Sequence, residues 1–534
     1  MQKLGQNRQW QTFLTHYDGS SNSELNCYYL RALYGTSQVE QALALTAPAW
    51  VQADSQPKAC DPLFEVWRRS EHFTEEIVWQ RLKIALEANE VTVASYLLRY
   101  FRDQTLADLF YKSHISPKRV LVHSRYSGDT VKHREIISHA LIRLANKDPE
   151  AAVAAWPTYL RTHQFDATQA AQLEQQLLSK LPRAEVFPSP KQRSKVVDTR
   201  FILTLKDEAV KQQRWDEVIY WSQQLPTDIL NKPENEYWLA RALSISTGDG
   251  ERAQLAYGSL ARTRHYYGFW AAHHIGIPGQ LTANPVYDQR SAITRLKNQP
   301  RFARSMELFA VGDELNGRRE WFAGLKESAT LDQKIAAELA LANGLVTLAI
   351  QTANHANARN SLHLRFPTAY LAQLRRASLD TDLPVPTLIA MARQESALNR
   401  AASSSANARG LMQLLPSTAR LVARRHHLRI PKIEDLFDPQ TNINLGSRHL
   451  AWLVERYDGQ LVPAIAAYNA GEHRVDRWLR ANDQLPLDVW IETIPFRETR
   501  NYVKNVLAFR HVYAQLTRSP LPFIDPTQMV VKKR

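Results

Sequence analysis

The chain has 534 residues, a formal charge of +14 from 67 Lys and Arg against 53 Asp and Glu, and two cysteines. That length is too great for one hydrophobic core and implies roughly two to four domains, and 44% hydrophobic with 22% charged residues is a globular composition. No apolar run approaches the ~20 residues of a bilayer span, so a membrane-spanning protein and a disulfide-dense miniprotein are both excluded.

The positive charge favours an anionic partner: nucleic acid, an acidic membrane surface or an acidic glycan. Basic residues are scattered (Arg375 and Arg376, Arg424 and Arg425, Lys532 to Arg534) rather than massed with aromatics, which keeps nucleic acid in reserve. Leu, Ala, Gln and Arg dominate and only 18 glycines occur, the balance of an all-α fold.

The first ten residues are polar, with no apolar signal core or small-residue cleavage site. Cys27 and Cys60 lie close in sequence. They are either one disulfide closing a loop of ~33 residues, worth roughly 3–4 kcal/mol in the chain-entropy account, or two buried thiols. From Leu25 to about Trp270 short amphipathic helices alternate with polar turns. Tyr29 to Leu33 leads through Gly35 to Val39 and Ala42, and Trp238 to Leu243 leads through Gly248 to Ala253 and Tyr257. Such hairpins cannot bury their apolar faces alone and stack into an α-superhelix. Leu82 to Tyr100 and Asp148 to Leu160 read as further hairpins, Phe187 to Lys195 as a long turn, and Pro300 to about Phe366 as a second helical block.

Beyond Asp380 the pattern carries chemistry. Pro384 and Pro386 open a helix whose stripe runs Leu388, Met391, Ala392, Glu395, Leu398. A carboxylate on a buried face loses solvation, and its pKa rises above ~4.3, as a general acid requires. The alternative is a stripe-edge glutamate paired with Arg393 or Arg400. Gly410-Leu411-Met412-Gln413 then sets an amide among apolar neighbours just before a helix start at Ser417 and Thr418. Asp438-Pro439 and Asn442 to Gly446 open a helix that ends near Tyr457 and Gly459, and Pro463 opens another that carries Ile465 and Tyr468. A long helix starts after Ile494 with the stripe Tyr502, Val506, Phe509, Tyr513, Leu516, which extends back one turn onto Glu498.

In order and spacing, Ala392 to Ser396, Gly410 to Gln413, Asn442 to Gly446, Ala467 to Gly471 and Pro495 to Val503 resemble the soluble lytic transglycosylases, the murein-cleaving enzymes of glycoside hydrolase family 23. The likeness is specific over about 380–515. It continues upstream through Asn26 to Tyr29, Lys58 to Asp61 and Trp270 to Gly276.

The resemblance implies an N-terminal α-superhelical domain (1–300, ring- or arc-shaped), a helical linker domain (301–368) and a lysozyme-like catalytic domain (369–534). It implies Glu395 as sole catalytic acid and base, with Ser396, Ser404, Met412, Gln413, Tyr468, Asn469 and Glu498 binding the glycan. It also implies a Cys27–Cys60 disulfide, a periplasmic home and a signal peptide missing from this chain. Two departures from the pattern, Asn407 in place of a glycine and Glu472-His473 in place of Pro-Gly, spare the reacting centre; Asn tolerates a positive φ.

Two-carboxylate glycosidases hold their second carboxyl within about 5–9.5 Å of the first. Asp435 and Asp438 read as loop residues and Glu498 as a binding group, so a one-carboxylate mechanism is expected. It cleaves the β-1,4 bond between N-acetylmuramic acid and N-acetylglucosamine and closes a 1,6-anhydro ring. The competing readings are a goose-type lysozyme-like hydrolase and a non-catalytic α-solenoid scaffold. No cofactor, metal or nucleic acid is expected: His426-His427 reads as a solvated face, and no EF-hand or phosphate loop is present. His265-Tyr266-Tyr267 reads as inter-helix packing rather than a sugar platform. The expected partner is peptidoglycan, bound by a monomer.

Overall fold

The computed structural model describes residues 1–122, 128–181, 187–188, 193, 196–246, 250–283 and 289–533. Among these, every regular element is a helix, and extended pairing is confined to the isolated bridges Ser403–Arg409, Arg409–Leu414 and Pro486–Val530. The all-α expectation therefore holds. The turn expected over Phe187 to Lys195, and Gly248, lie mostly or wholly outside the described residues.

The chain forms two compact units, Met1–Leu205 and Lys206–Arg534. In the first, each helix packs mainly on its neighbours in sequence: Ser23–Gly35 on Val39–Ala44, Glu75–Glu87 on Val91–Leu97, and Val131–Ala145 on Thr105–Ile115 and Pro149–Thr162. This is the serial packing of stacked hairpins, in which each helix hides an apolar face its partner supplies. The starts are set by side-chain caps. Asn22 accepts from the Leu25 amide, Thr74 from Ile77 and Asp148 from Ala151. Large aromatics fill the joints, with Phe73 edge-on to both Trp50 and Trp67, which lie tilted against each other. Cys27 and Cys60 are joined as a disulfide.

The hairpin expected over Leu82 to Tyr100 is present, turning at Ala88 to Glu90. Asp148 to Leu160 is instead a single helix, Pro149–Thr162, which carries Pro157 inside it and pairs with Val131–Ala145. The segment is one arm rather than a whole hairpin, and its apolar side is held by the preceding helix.

In the second unit, helices Pro300–Ala310, Glu314–Lys326, Thr330–Ala342 and Val346–His355 form the expected block around Trp321. Beyond it, Val385–Ser396 packs lengthwise against Arg497–Leu516, and Leu371–Thr381 against Pro439–Arg456. Pro386 to Arg393 is buried continuously, so this helix is central rather than one-sided. The stripe reading was too narrow, because a helix covered all round shows no polar face. Leu398 lies beyond the helix end, and both Ala397 and Leu398 take left-handed backbone, φ +52° and +63°.

Candidate active site

Glu395 sits in the last turn of the helix Val385–Ser396 and is half-buried. The left-handed pair Ala397–Leu398 turns the chain sharply away just after it, a costly conformation for side chains with a Cβ. Burial pushes the Glu395 carboxyl up from 4.5 to about 7. Two smaller influences oppose each other: the Tyr502 hydroxyl lowers the value by donating to Glu395 Oε1 at 2.6 Å, and the like charge of Glu498 raises it. The pairing with Arg393 does not occur. The Arg393 guanidinium donates to the Arg365 carbonyl at 3.0 Å and lies over Phe509, 5.3 Å from the ring centroid, while Arg400 is exposed.

The segment facing the glutamate is built by backbone bonds to side chains. Asn442 is fully buried; its Oδ1 accepts from the Met412 amide at 2.8 Å, and its Nδ2 donates to Arg409 O at 2.9 Å and Leu436 O at 2.8 Å. Gly410 is obligatory here. It has φ +75°, and a Cβ would lie 2.2 Å from Leu436 O and 2.3 Å from Asn442 Nδ2. Asn407 adopts φ +69°, so the expected substitute for glycine does keep the turn.

Ser396 Oγ donates to Leu411 O at 2.8 Å and accepts from the Asn399 amide at 3.0 Å, tying the helix end to this segment. The Gln413 side chain folds back onto Gly410 O at 2.9 Å and Ala402 O at 3.2 Å. Met412 is fully buried, with its sulfur against Gly446, so its side chain packs inward. Its carbonyl accepts the Tyr468 hydroxyl at 2.8 Å. Burial, then the Glu395 charge, raises the Tyr468 phenol well above its ordinary value, so it stays neutral. Asn469 Oδ1 accepts from the Thr499 hydroxyl at 2.7 Å, fixing the Ala467 to Gly471 corner to the start of Arg497–Leu516. Ser404 is exposed and holds its own loop through the Ala408 amide at 3.0 Å.

Glu498 requires a correction. Its stripe position predicted burial, yet it is exposed, and in that first turn the neighbouring Thr499 takes the buried position. Leu516, at the other end of the stripe, is exposed as well. Tyr502, which the sequence reading passed over as core, is the side chain that bonds to Glu395. The available signal was chemical: a buried tyrosine hydroxyl needs a partner, and one turn from Glu498 the partner could be a carboxyl. His426 and His427 belong to no group of possible metal ligands among the described residues; of the cluster expected to pack between helices, Tyr266 and Tyr267 are buried but His265 is exposed.

Glu395 thus meets the Tyr502 hydroxyl directly and lies near enough to Tyr468 for its charge to be felt there, in a site built from helices. Three family profiles match the chain: Transglycosylase SLT domain over residues 373–491, Soluble lytic murein transglycosylase L domain over 295–362, and Soluble lytic transglycosylase helical domain over 493–521. The soluble lytic murein transglycosylase of Escherichia coli K12 is 28% identical over 523 residues, covering 96% of this chain and 80% of the relative. A putative soluble lytic murein transglycosylase of Haemophilus influenzae is 35% identical over 309 residues, covering 58% of this chain and 51% of the relative. Among solved structures, an inactive mutant of the lytic transglycosylase Slt from Pseudomonas aeruginosa superposes with TM-score 0.77 and 31% identity, covering 99% of this chain and 88% of that one. The 70 kDa soluble lytic transglycosylase of Escherichia coli gives 0.75 and 27%, covering 99% and 87%. The chain belongs to the soluble lytic transglycosylase family.

Proposed function

We propose that this chain is a peptidoglycan lytic transglycosylase in which Glu395 serves in turn as acid and base. The observation that carries the reading is the Glu395 carboxyl itself, pushed up to about 7 by burial and held by one hydroxyl donor. Near neutrality it is present both as acid and as carboxylate, which a group that must donate and then accept requires.

In the first step Glu395 gives its proton to the oxygen bridging C1 of N-acetylmuramic acid and C4 of N-acetylglucosamine, and the C1–O bond breaks. The substrate's 2-acetamido oxygen supports the positive charge left at C1. The Tyr468 hydroxyl has its proton committed to the Met412 carbonyl, so it can face that charge only with oxygen lone pairs, the polarity a developing cation prefers. In the second step the Glu395 carboxylate takes the proton of the muramyl 6-hydroxyl, whose oxygen bonds to C1. Both protons are accounted for, the glutamic acid is restored and no water is consumed. Glu498 is the one carboxylate whose charge registers at Glu395, and it is exposed. That suits substrate binding better than nucleophilic attack.

Ser396, Gln413 and Asn469 bond to backbone or to Thr499 and therefore shape the glycan site more than they grip the sugar. Ser404 and Glu498, both exposed, are the side chains open to direct contact. The Cys27–Cys60 disulfide suits an oxidising compartment such as the periplasm, and among the described residues no helix is long and apolar enough to cross a membrane.

Glu395→Gln is the test. The variant folds but releases no 1,6-anhydro ends from purified peptidoglycan, against a wild type whose products are one water lighter than hydrolysis products by mass spectrometry. Wild-type turnover in Glu395→Gln refutes the assignment, and hydrated ends from the wild type would establish the lysozyme-like hydrolase instead.

A further inference from the structure

The bond from the Tyr468 hydroxyl to the Met412 carbonyl is assembled by a third element, the helix Pro439–Arg456. Asn442, Gly446 and His449 stand on it at i, i+4 and i+7, the spacing of one face. The first two hold the acceptor. Asn442 Oδ1 takes the Met412 amide at 2.8 Å, and Gly446 leaves room for the Met412 sulfur, which a Cβ there would meet at 2.5 Å. The third stands against the donor: the His449 and Tyr468 rings lie 5.2 Å apart, tilted by 49°. The ring contacts continue outward from there. Trp452 stacks on His449 at 5.9 Å and 16°, and the exposed Arg425 guanidinium lies 4.1 Å from the Trp452 ring centroid.

His449 is half-buried and gains little from its own nitrogens. Its Nδ1 is buried with no hydrogen-bond partner. Burial, opposed by Glu472 and helped by Arg425, pushes the imidazole down to about 4, so it is neutral near pH 7. A buried nitrogen left unbonded destabilises the fold, so what the site takes from His449 is its flat ring. A phenol on its own has several rotamers open to it. Leu445 and the apolar cluster around Val422 pack on Tyr468, and His449 adds an aromatic contact.

We infer that His449 is a positioning residue of the reaction: its ring sets the Tyr468 phenol so that the hydroxyl stays bonded to the Met412 carbonyl and turns its lone pairs to the muramyl C1. The inference rests on the reading of Tyr468 given above. His449 acts through that tyrosine and moves no proton. Its neutrality also suits the place, because an imidazolium beside a growing cation would repel it.

The experiment measures kcat, KM and Tm, with release of anhydro ends from soluble glycan strands as the assay. It compares wild type, His449→Ala, His449→Phe, Tyr468→Phe and the double variant His449→Ala/Tyr468→Phe. His449→Ala is expected to lower kcat about tenfold with KM held, the signature of a contact made only in the transition state. His449→Phe keeps a ring and removes the unbonded nitrogen; kcat should return to within about twofold of wild type with Tm equal or higher. In the Tyr468→Phe background His449→Ala should change kcat less than about twofold, because the hydroxyl it sets is gone. A ring that only fills space would lower Tm and leave kcat, or cost the same factor in both backgrounds. Either result overturns the inference, as does His449→Phe being as slow as His449→Ala. Failure of the Tyr468 reading shows differently, as wild-type kcat in Tyr468→Phe, and removes the inference with it. Should His449→Ala not fold, His449→Leu, which keeps apolar volume without a flat face, takes its place in each comparison.

Discussion

Two buried titratable sites, one in each compact unit, show what burial does and does not reveal. In the first unit His114 and His139 are buried with their rings 5.2 Å apart, and His114 Nδ1 meets His139 Nε2 at 3.1 Å. Burial, helped by Arg143, pushes them down to about 4 and about 3. In the second unit burial pushes Glu395 up to about 7. The physics is the same, loss of solvation penalising charge, and both shifts are large. What separates them is the remaining bonding capacity. His114 uses its other ring nitrogen on Asn89 Oδ1 at 3.0 Å, closing the pair on its own unit. Glu395 receives one hydroxyl, is not fully enclosed, and faces a segment already satisfied by backbone bonds. A perturbed pKa marks a functional site only where the group is left something to do.

The comparison is broken or sharpened most strongly by acid. The two histidines are neutral when folded, while the unfolded chain protonates them near 6.5. Their contribution to stability is present above pH 6.5 and is lost as pH falls through about 4 to 3. Glu395 has the opposite sign: it keeps its proton when folded up to about 7, while the unfolded chain releases it near 4.5. Its contribution is full below pH 4.5 and is lost as pH rises to 7. Hydrogen exchange, corrected for intrinsic rates, should show Thr105–Ile115 and Val131–Ala145 losing a few kcal/mol of protection between pH 6.5 and 4, with Val385–Ser396 holding or gaining. Parallel loss in both regions would dissolve the contrast.

Next in size is the stability cost of the catalytic carboxyl. A shift from 4.5 to about 7 corresponds to about 3 kcal/mol at pH 8. Glu395→Gln removes the charge and should raise Tm by several degrees at pH 8, with the gain vanishing at pH 4.5. Calorimetry at the two pH values checks this. An equal gain at both would assign the effect to packing.

The same contrast explains what the sequence disclosed. Glu395 and Tyr468 were legible because their neighbours Ser396, Asn469 and Gly471 form motifs with fixed spacing. The helices beyond Asp380 were legible because proline and cap residues mark their starts. Three features were not. The left-handed Ala397–Leu398 step is imposed by packing on residues with no preference for it. The exposure of Glu498 beside a buried Thr499 is a tertiary fact that helical periodicity extrapolates past. Asn442 bonds to backbone at Arg409, Met412 and Leu436, far off in sequence, and only the folded chain brings these together.

The smallest effect is the most discriminating. Tyr502 donates to the ionised form of Glu395, so its hydroxyl opposes the upward push of burial. In Tyr502→Phe the carboxyl keeps its dry surroundings and loses that donor, and its pKa must rise further. The glutamic acid then remains protonated to higher pH, and the basic limb of the pH–rate profile moves upward. Over the same range kcat should fall about tenfold, because the carboxylate that must take the 6-hydroxyl proton is less populated and less firmly oriented. Folding should change little, since phenylalanine fills the same space and the lost bond is worth about 1 kcal/mol. A purely structural tyrosine would lower kcat or Tm and leave the limb where it was. A limb that moves up with Tm nearly unchanged makes Tyr502 the residue that positions and tunes the acid, and an unmoved limb removes it from that role.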